Sequence, residues 1–165
     1  MDVEYRGDND GALKGTMVHR LMEVLVSSKN SIDGSKLVKE IINEYDDSSK
    51  REYHESLLKD VLITIRSGGY EPKYGAPKDI LKELLSADEC LCEVPFSFKD
   101  GENLYSGFID LVYRKNGAWH IIDYKTNADD RDLDKHYKDQ LDLYSKAFKH
   151  LTGESADACV YHIGM

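Results

Sequence analysis

The dipeptide Asn116-Gly117 constrains this chain more than any other feature. It separates two apolar-rich runs, Tyr105 to Arg114 and Ala118 to Lys125. Asn-Gly between such runs is the strongest short-range signal for a two-residue β-hairpin. A two-residue turn fixes the register: Lys115 pairs with Ala118, and counting inward puts Asp110 directly opposite Asp123. Side chains alternate along a strand, so Lys125 and Phe108 are expected on the face of the two aspartates. Val112 and Ile121 fall on one face, and Ile109, Leu111 and Ile122 on the other. With apolar residues on both faces, the hairpin belongs in the middle of a sheet.

Carboxylates directly opposed across two strands, with Cβ atoms about 4.5–5.5 Å apart, repel each other. Near a core, a proton on one of them or a cation between them relieves the repulsion. Oxygen ligands suit Mg²⁺ or Mn²⁺. Lys125, one side-chain step past Asp123, is placed to orient an attacking water or to stabilise a charged phosphate. The plainer reading of the spacing D-x12-D-x-K is an exposed strand with solvated charges, which the apolar neighbours on both faces oppose.

Glu93 supplies a third carboxylate, in the strand-like run Glu89 to Phe98. A two-residue turn at Asp100-Gly101 pairs Glu93 with Phe108. A four-residue loop from Asp100 to Asn103 pairs it with Asp110. Either register puts Glu93 on the aspartate face. Its alternative is a surface glutamate on an edge strand, which the adjacent Pro95 also suits.

The remaining pattern frames this hairpin. Residues 1–14 read as a flexible lead-in, 15–88 as mainly helical, and 89–165 as a catalytic sheet with its helix. Apolar stripes predict helices over Gly15 to Val26, Lys36 to Tyr45 and Ser48 to Ile65, with a short helix from Pro77 to about Ser86. A further helix is expected from Asp134 to Leu151, ended by Gly153, and a last strand from Ala156 to Ile163. The order of helices, three strands, helix and strand makes an α/β domain: a small central mixed sheet with an N-terminal helical segment and flanking helices. A chain of 165 residues suits one such domain.

Composition narrows the function. There is no apolar run of about 18 residues and no membrane-spanning segment is expected. The N-terminus is polar, unlike a signal peptide, and a cytoplasmic location is expected. The three cysteines, Cys90, Cys92 and Cys159, make no disulfide framework. Cys90 and Cys92 lie in an apolar run and read as core residues. A net charge of −9 opposes a domain that grips nucleic acid by its own basic surface, because phosphate neutralisation dominates such affinity. Bound metal ions, or a larger partner, would have to bring in the substrate.

Five ordered elements carry a resemblance to a known family. Gly107-Phe-Ile-Asp-Leu-Val and Ile122-Asp-Tyr-Lys-Thr resemble the PD-(D/E)xK nuclease superfamily, and more narrowly the RecB-type nuclease domain at the C-terminus of AddA and RecB helicase–nucleases. Gly15-Thr-Met-Val-His19 is similar to the G-x-x-x-H helix of that group, Glu93-Val-Pro-Phe to its E-x-P-F strand, and Gln140-Leu-Asp-Leu-Tyr144 to its Q-x-x-x-Y helix. The resemblance implies a restriction-endonuclease-like core and a Mg²⁺- or Mn²⁺-dependent DNA nuclease, with metal ligands His19, Asp110, Asp123 and the backbone carbonyl of Tyr124. It implies that Lys125 is catalytic, that Glu93 holds a water of the metal or a second ion, and that Gln140 and Tyr144 support the site and the DNA. Implied partners are single-stranded DNA ends, a helicase domain of the parent chain and a second helicase–nuclease subunit, with a role in double-strand break repair and recombination. No phosphate-binding G-x-x-x-x-G-K is present, and the expected context is a domain excised from a longer helicase–nuclease.

Two departures from the family stand out. The family often carries arginine in G-R-I-D, where this chain has Phe108, so a phosphate contact is lost. Some relatives hold an iron–sulfur cluster on four cysteines; the three here do not fit, and no cluster is expected. Two alternatives remain: a non-catalytic module of the same fold that binds or scaffolds partners, which suits the charge, and a stand-alone restriction- or resolvase-like endonuclease.

Overall fold

In the computed structural model, residues 9–72, 75–126 and 133–164 are described. Four helices come first: α1 (Asn9–Ser27), α2 (Gly34–Tyr45), α3 (Arg51–Arg66) and α4 (Ile80–Leu85). Strands β1 (Glu89–Asp100), β2 (Asn103–Lys115) and β3 (Ala118–Lys125) follow, then α5 (Leu133–Thr152) and β4 (Ala156–His162). This is the expected mixed α/β order.

The hairpin forms as the Asn-Gly signal requires. Asn116 and Gly117 both take positive φ, 52° and 78°, the pattern of a type I′ turn. Lys115 pairs with Ala118, and the antiparallel ladder runs up to Leu111 and Ile122. The sheet order is β1-β2-β3-β4, with β1–β2 antiparallel and β3–β4 parallel. The parallel pair is joined through α5, the kind of crossover such a pair needs.

The helical half and α5 take opposite sides. The larger core unites α1–α4 with Leu111, Tyr113, Ile122 and Tyr124. The smaller core sets Tyr144, Ala147 and Phe148 of α5 against Phe96, Ile109, Val112 and Ile121. Cys90, Cys92 and Cys159 are half-buried against the larger core.

Some expectations shift. α1 starts at Asn9, so residues 9–14 are helix and not lead-in; residues 1–8 lie outside the described residues. Two glycines, Gly11 and Gly15, weaken the local helical signal. A distant contact supplies what they lack: the Asp10 carboxylate meets His54 Nε2 on α3 and pairs with Lys14 at 3.1 Å. α4 starts at Ile80 with Asp79 as N-cap, its carboxylate accepting from the Lys82 amide. A real side-chain cap at Asp79 thus overrides Pro77 as the helix start. The strict alternation assigned to the hairpin also fails, because Ile109 packs in the α5-side core while Leu111 packs in the other. The break falls at Asp110.

Candidate metal centre

The break at Asp110 has a matching break across the ribbon. The β1–β2 pairs run from Asp100↔Asn103 to Val94↔Ile109, and resume at Cys92↔Leu111 in the same register. Glu93 therefore stands opposite Asp110, the second of the two expected registers, with a Gly101-Glu102 turn. Glu93 takes φ +50°, in the left-handed region that non-glycine residues rarely adopt. On β1, Cys92 packs on the helical side and Val94 on the α5 side. Both strands thus turn over together at the Glu93/Asp110 pair.

At the same level the sheet forks. Beyond Leu111↔Ile122, the outer half of β2 pairs only with β1, while Asp123 to Lys125 pair only with β4. In the fork, the Tyr124 amide donates to Asp110 Oδ2 at 2.9 Å in place of a ladder bond. Lys125 accepts from the Ile163 amide through its carbonyl, toward β4. Peptide groups alternate direction along a strand, so the Tyr124 carbonyl is directed to the Asp110 side.

Five expected site side chains, His19, Glu93, Asp110, Asp123 and Lys125, converge on the fork. His19, one helical face of α1 inward, brings Nδ1 to 3.2 Å from Asp110 Oδ1 and 4.0 Å from Glu93 Oε1. Its ring packs edge-on against Tyr124 at 5.7 Å. One ligand atom from each of His19, Glu93 and Asp110 lies within 4.8 Å of the others. Asp123 is buried at 2% exposure and hydrogen-bonds through its carboxyl to Asp110. Lys125 Nζ lies 3.0 Å from Asp123 Oδ2 and 5.2 Å from the Tyr137 ring centroid. The Lys125 ammonium is thus the close charge partner of the buried Asp123 Oδ2.

The electrostatics follow from crowding. Burial and the neighbouring Asp110 carboxylate push Asp123 up to about 7, and Lys125 only partly offsets them. Burial also works against ionised Asp110, but hydrogen bonds from His19, Asp123 and the Tyr124 amide hold it below the usual carboxylate range. Burial and the Asp110 charge raise Glu93. Burial disfavours charged His19, yet the hydrogen bond and charge of Asp110, with Glu93 and Asp123 behind it, leave its pKa raised. Asp123, Glu93 and the His19 imidazole thus hold protons more tightly than usual around an ionised Asp110, and a cation would displace them.

The remaining expected residues take other positions. Gln140 Nε2 donates to the Tyr144 hydroxyl at 2.9 Å. Burial, then the Asp123 and Asp110 charges, push Tyr144 up to about 12, so its hydroxyl is in electrostatic reach of the acids. Gln140 also lines a groove of about 600 Å³ beside β1–β2 with Phe98, Tyr105 and Lys146. Phe108 does not share a face with Lys125: Ile109 packs toward α5, so Phe108 points away from it, while Lys125 lies over Tyr137 of α5. Gly107 of the same motif has a packing reason, since a Cβ there would come within 3.0–3.2 Å of the Phe96 ring.

Sequence reasoning passed over Glu23. It lies one helical turn beyond His19 and lines, with His19, Arg20 and Glu93, a pocket of about 460 Å³ that opens on the centre. Its charge is felt by Glu93. The His19/Glu23 spacing of i, i+4 was the available signal. Also unforeseen was buried His54, whose Nδ1 lies 2.6 Å from Asp46 Oδ2 while Nε2 meets Asp10.

The family model described as the PD-(D/E)XK nuclease superfamily matches residues 4–164. The chain is 27% identical to the A subunit of the ATP-dependent helicase/nuclease of Thermoanaerobacter sp. (strain X514), over 92% of its own length. It is 27% identical to the A subunit of the ATP-dependent helicase/nuclease of Clostridioides difficile (strain 630), over 98% of its length. It spans only 13% and 14% of the length of those relatives. Among solved structures, protein VC1899 from Vibrio cholerae is 16% identical over 93% of this chain and 42% of its own, with a TM-score of 0.38, too distant to carry an argument. Among the described residues, no helix is long and apolar enough to cross a membrane.

Proposed function

The chain belongs to the PD-(D/E)XK nuclease superfamily, and from that premise we propose that it is a Mg²⁺-dependent DNA nuclease module that works with an ATP-driven helicase in double-strand break repair. The observation that carries this reading is the convergence of His19, Glu93 and Asp110 within 4.8 Å, beside buried Asp123 with the Lys125 ammonium 3.0 Å from its Oδ2. Oxygen-rich donors with one imidazole suit Mg²⁺ or Mn²⁺.

His19, Asp110, Asp123 and the Tyr124 carbonyl would hold the ion, with Glu93 holding one of its waters or a second ion. The ion supplies positive charge against a scissile phosphodiester and acidifies water. Asp110 is kept ready by the Tyr124 amide and His19, which favour its ionised form. Lys125 directs its ammonium into the same space, where it orients water or meets charge developing on the phosphate. Gln140 and Tyr144 buttress the centre from α5.

A net charge of −9 favours a second reading, a non-catalytic module of the same fold. That reading gives no reason to keep carboxylates whose crowding disfavours ionisation. The charge is also why the isolated chain is expected to cleave weakly, with the helicase supplying substrate.

The test is cleavage of end-labelled linear single-stranded DNA with Mg²⁺, and with the metal chelated. Asp123→Ala and Lys125→Ala should each abolish cleavage while the folded circular dichroism spectrum persists. Unchanged cleavage by both variants overturns the assignment. Parallel linear, nicked and circular substrates separate an end-dependent exonuclease from a restriction- or resolvase-like endonuclease.

A further inference from the structure

Among the described residues, one face of the outer β1–β2 ribbon is exposed. Where the ribbon turns over at Glu93/Asp110, Val94, Phe96, Phe98, Tyr105 and Ile109 pack toward α5. The opposite side carries Pro95, Ser97, Lys99, Leu104, Ser106 and Phe108, all exposed. They pair as Pro95↔Phe108, Ser97↔Ser106 and Lys99↔Leu104, in that order away from the centre. Phe108 is 60% and Leu104 64% exposed. The row spans about 13 Å of strand.

We propose that this face is the track on which single-stranded DNA lies as it enters the centre, with Phe108 stacking on a nucleobase beside the scissile phosphate. The proposal rests on the nuclease reading above and names how its substrate is held. Three observations carry it. The face is close to the centre, because Pro95↔Phe108 is the second pair from Glu93 and Asp110, with only Val94↔Ile109 between them. It is free of acid: the chain has 31 aspartates and glutamates among 165 residues, yet these six positions hold none, and hold one lysine. In a chain of net charge −9 that leaves a path a polyanion can follow. Its chemistry also fits bases better than phosphates, with an aromatic ring and a proline ring at the near end and hydroxyls in the middle. Base–aromatic stacking is tolerant of sequence, and it supplies affinity that a domain with few basic contacts cannot draw from phosphates.

A protein partner is the competing occupant. Stable protein interfaces bury about 800 Å² on each side around an apolar centre. Here the centre of the face is Ser97 and Ser106, with the two large apolar side chains at its ends.

The experiment measures equilibrium binding, separately from cleavage. Fluorescein-labelled 12-residue oligodeoxythymidylate and an abasic oligodeoxynucleotide of the same length are titrated by anisotropy at one salt concentration, with Ca²⁺ present. The chains compared are the full wild-type chain, Phe108→Ala and Phe108→Trp. Wild type should bind the thymidylate about 5- to 150-fold tighter than the abasic strand, equivalent to about 1–3 kcal/mol for a stacked base. Phe108→Ala should erase the preference, and Phe108→Trp should keep it. No binding by wild type, equal binding of the two strands, or a preference that survives in Phe108→Ala overturns the proposal and leaves the face to a protein partner. Mg²⁺-dependent cleavage by the same samples reports on the nuclease reading independently: base-dependent binding without cleavage sinks that reading and not this one.

Discussion

Glu93 stands opposite Asp110 at the pair where the β1–β2 ribbon turns over, and it holds φ +50° there. A left-handed conformation costs a side-chain-bearing residue about 1–2 kcal/mol relative to glycine. Such strain persists only where surroundings impose it, and here it aims a third carboxylate at His19 and Asp110. Glu93→Gly should therefore be more stable than Glu93→Ala by about 1 kcal/mol, as read by urea unfolding. Both should lose about 10- to 100-fold in metal affinity or cleavage. If Glu93→Ala matches Glu93→Gly in stability, the strained backbone is wrong; if cleavage is untouched, Glu93 has no part in the centre.

Proton binding gives a second prediction. Burial and Asp110 push Asp123 from 3.8 up to about 7, so the metal-free folded state keeps a proton that the unfolded chain releases. Stability then falls as pH rises through that window. His19, also raised, acts with the same sign: its contribution is complete below its unfolded pKa and is lost as pH climbs through the folded one. The Tm of the metal-free chain should drop between about pH 5 and pH 8, and Asp123→Asn should flatten the profile. At the proposed metal centre Mg²⁺ would displace these protons, so added metal should raise the Tm more at about pH 8 than at pH 6. A metal-free Tm that increases over this range contradicts the proton-sharing acid pair.

His54 anchors the helix that carries His19. It is wholly buried, with Asp46 on one ring nitrogen and Asp10 of α1 on the other. His54→Ala leaves a cavity and frees two carboxylates, and should destabilise the chain by about 2–4 kcal/mol. Because Asp10 lies at the start of α1, the same variant should weaken metal binding at His19, measured by calorimetry under conditions where it remains folded. Unchanged stability would show that the α1–α3 link carries no weight.

The hairpin was legible because its cause is local. Asn116-Gly117 dictates a turn type, the turn dictates a register, and the register brings Asp110 to Asp123. Glu93 was legible as a neighbour, with its partner left between two loop lengths that sequence alone does not separate. The turnover at Glu93/Asp110 was not legible: it arises where β2 leaves β3, and period-two alternation has no term for a fork. That is why Ile109 and Phe108 fall on faces other than those the alternation predicts. The start of α1 was hidden for a similar reason, since a contact with His54, 44 residues away, outweighs two glycines. Glu23 could have been found from its spacing to His19, and the exposed ribbon face could not, because it exists only once the ribbon has turned.

The most direct test of the account is anomalous diffraction from a crystal of this chain grown with Mn²⁺, beside one of Asp110→Asn. The account predicts one strong peak in the wild type, within coordination distance of both the Asp110 carboxylate and the His19 imidazole and adjacent to Asp123, and its loss in the variant. An empty fork in the Mn²⁺ crystal, or a peak that persists in Asp110→Asn, contradicts it.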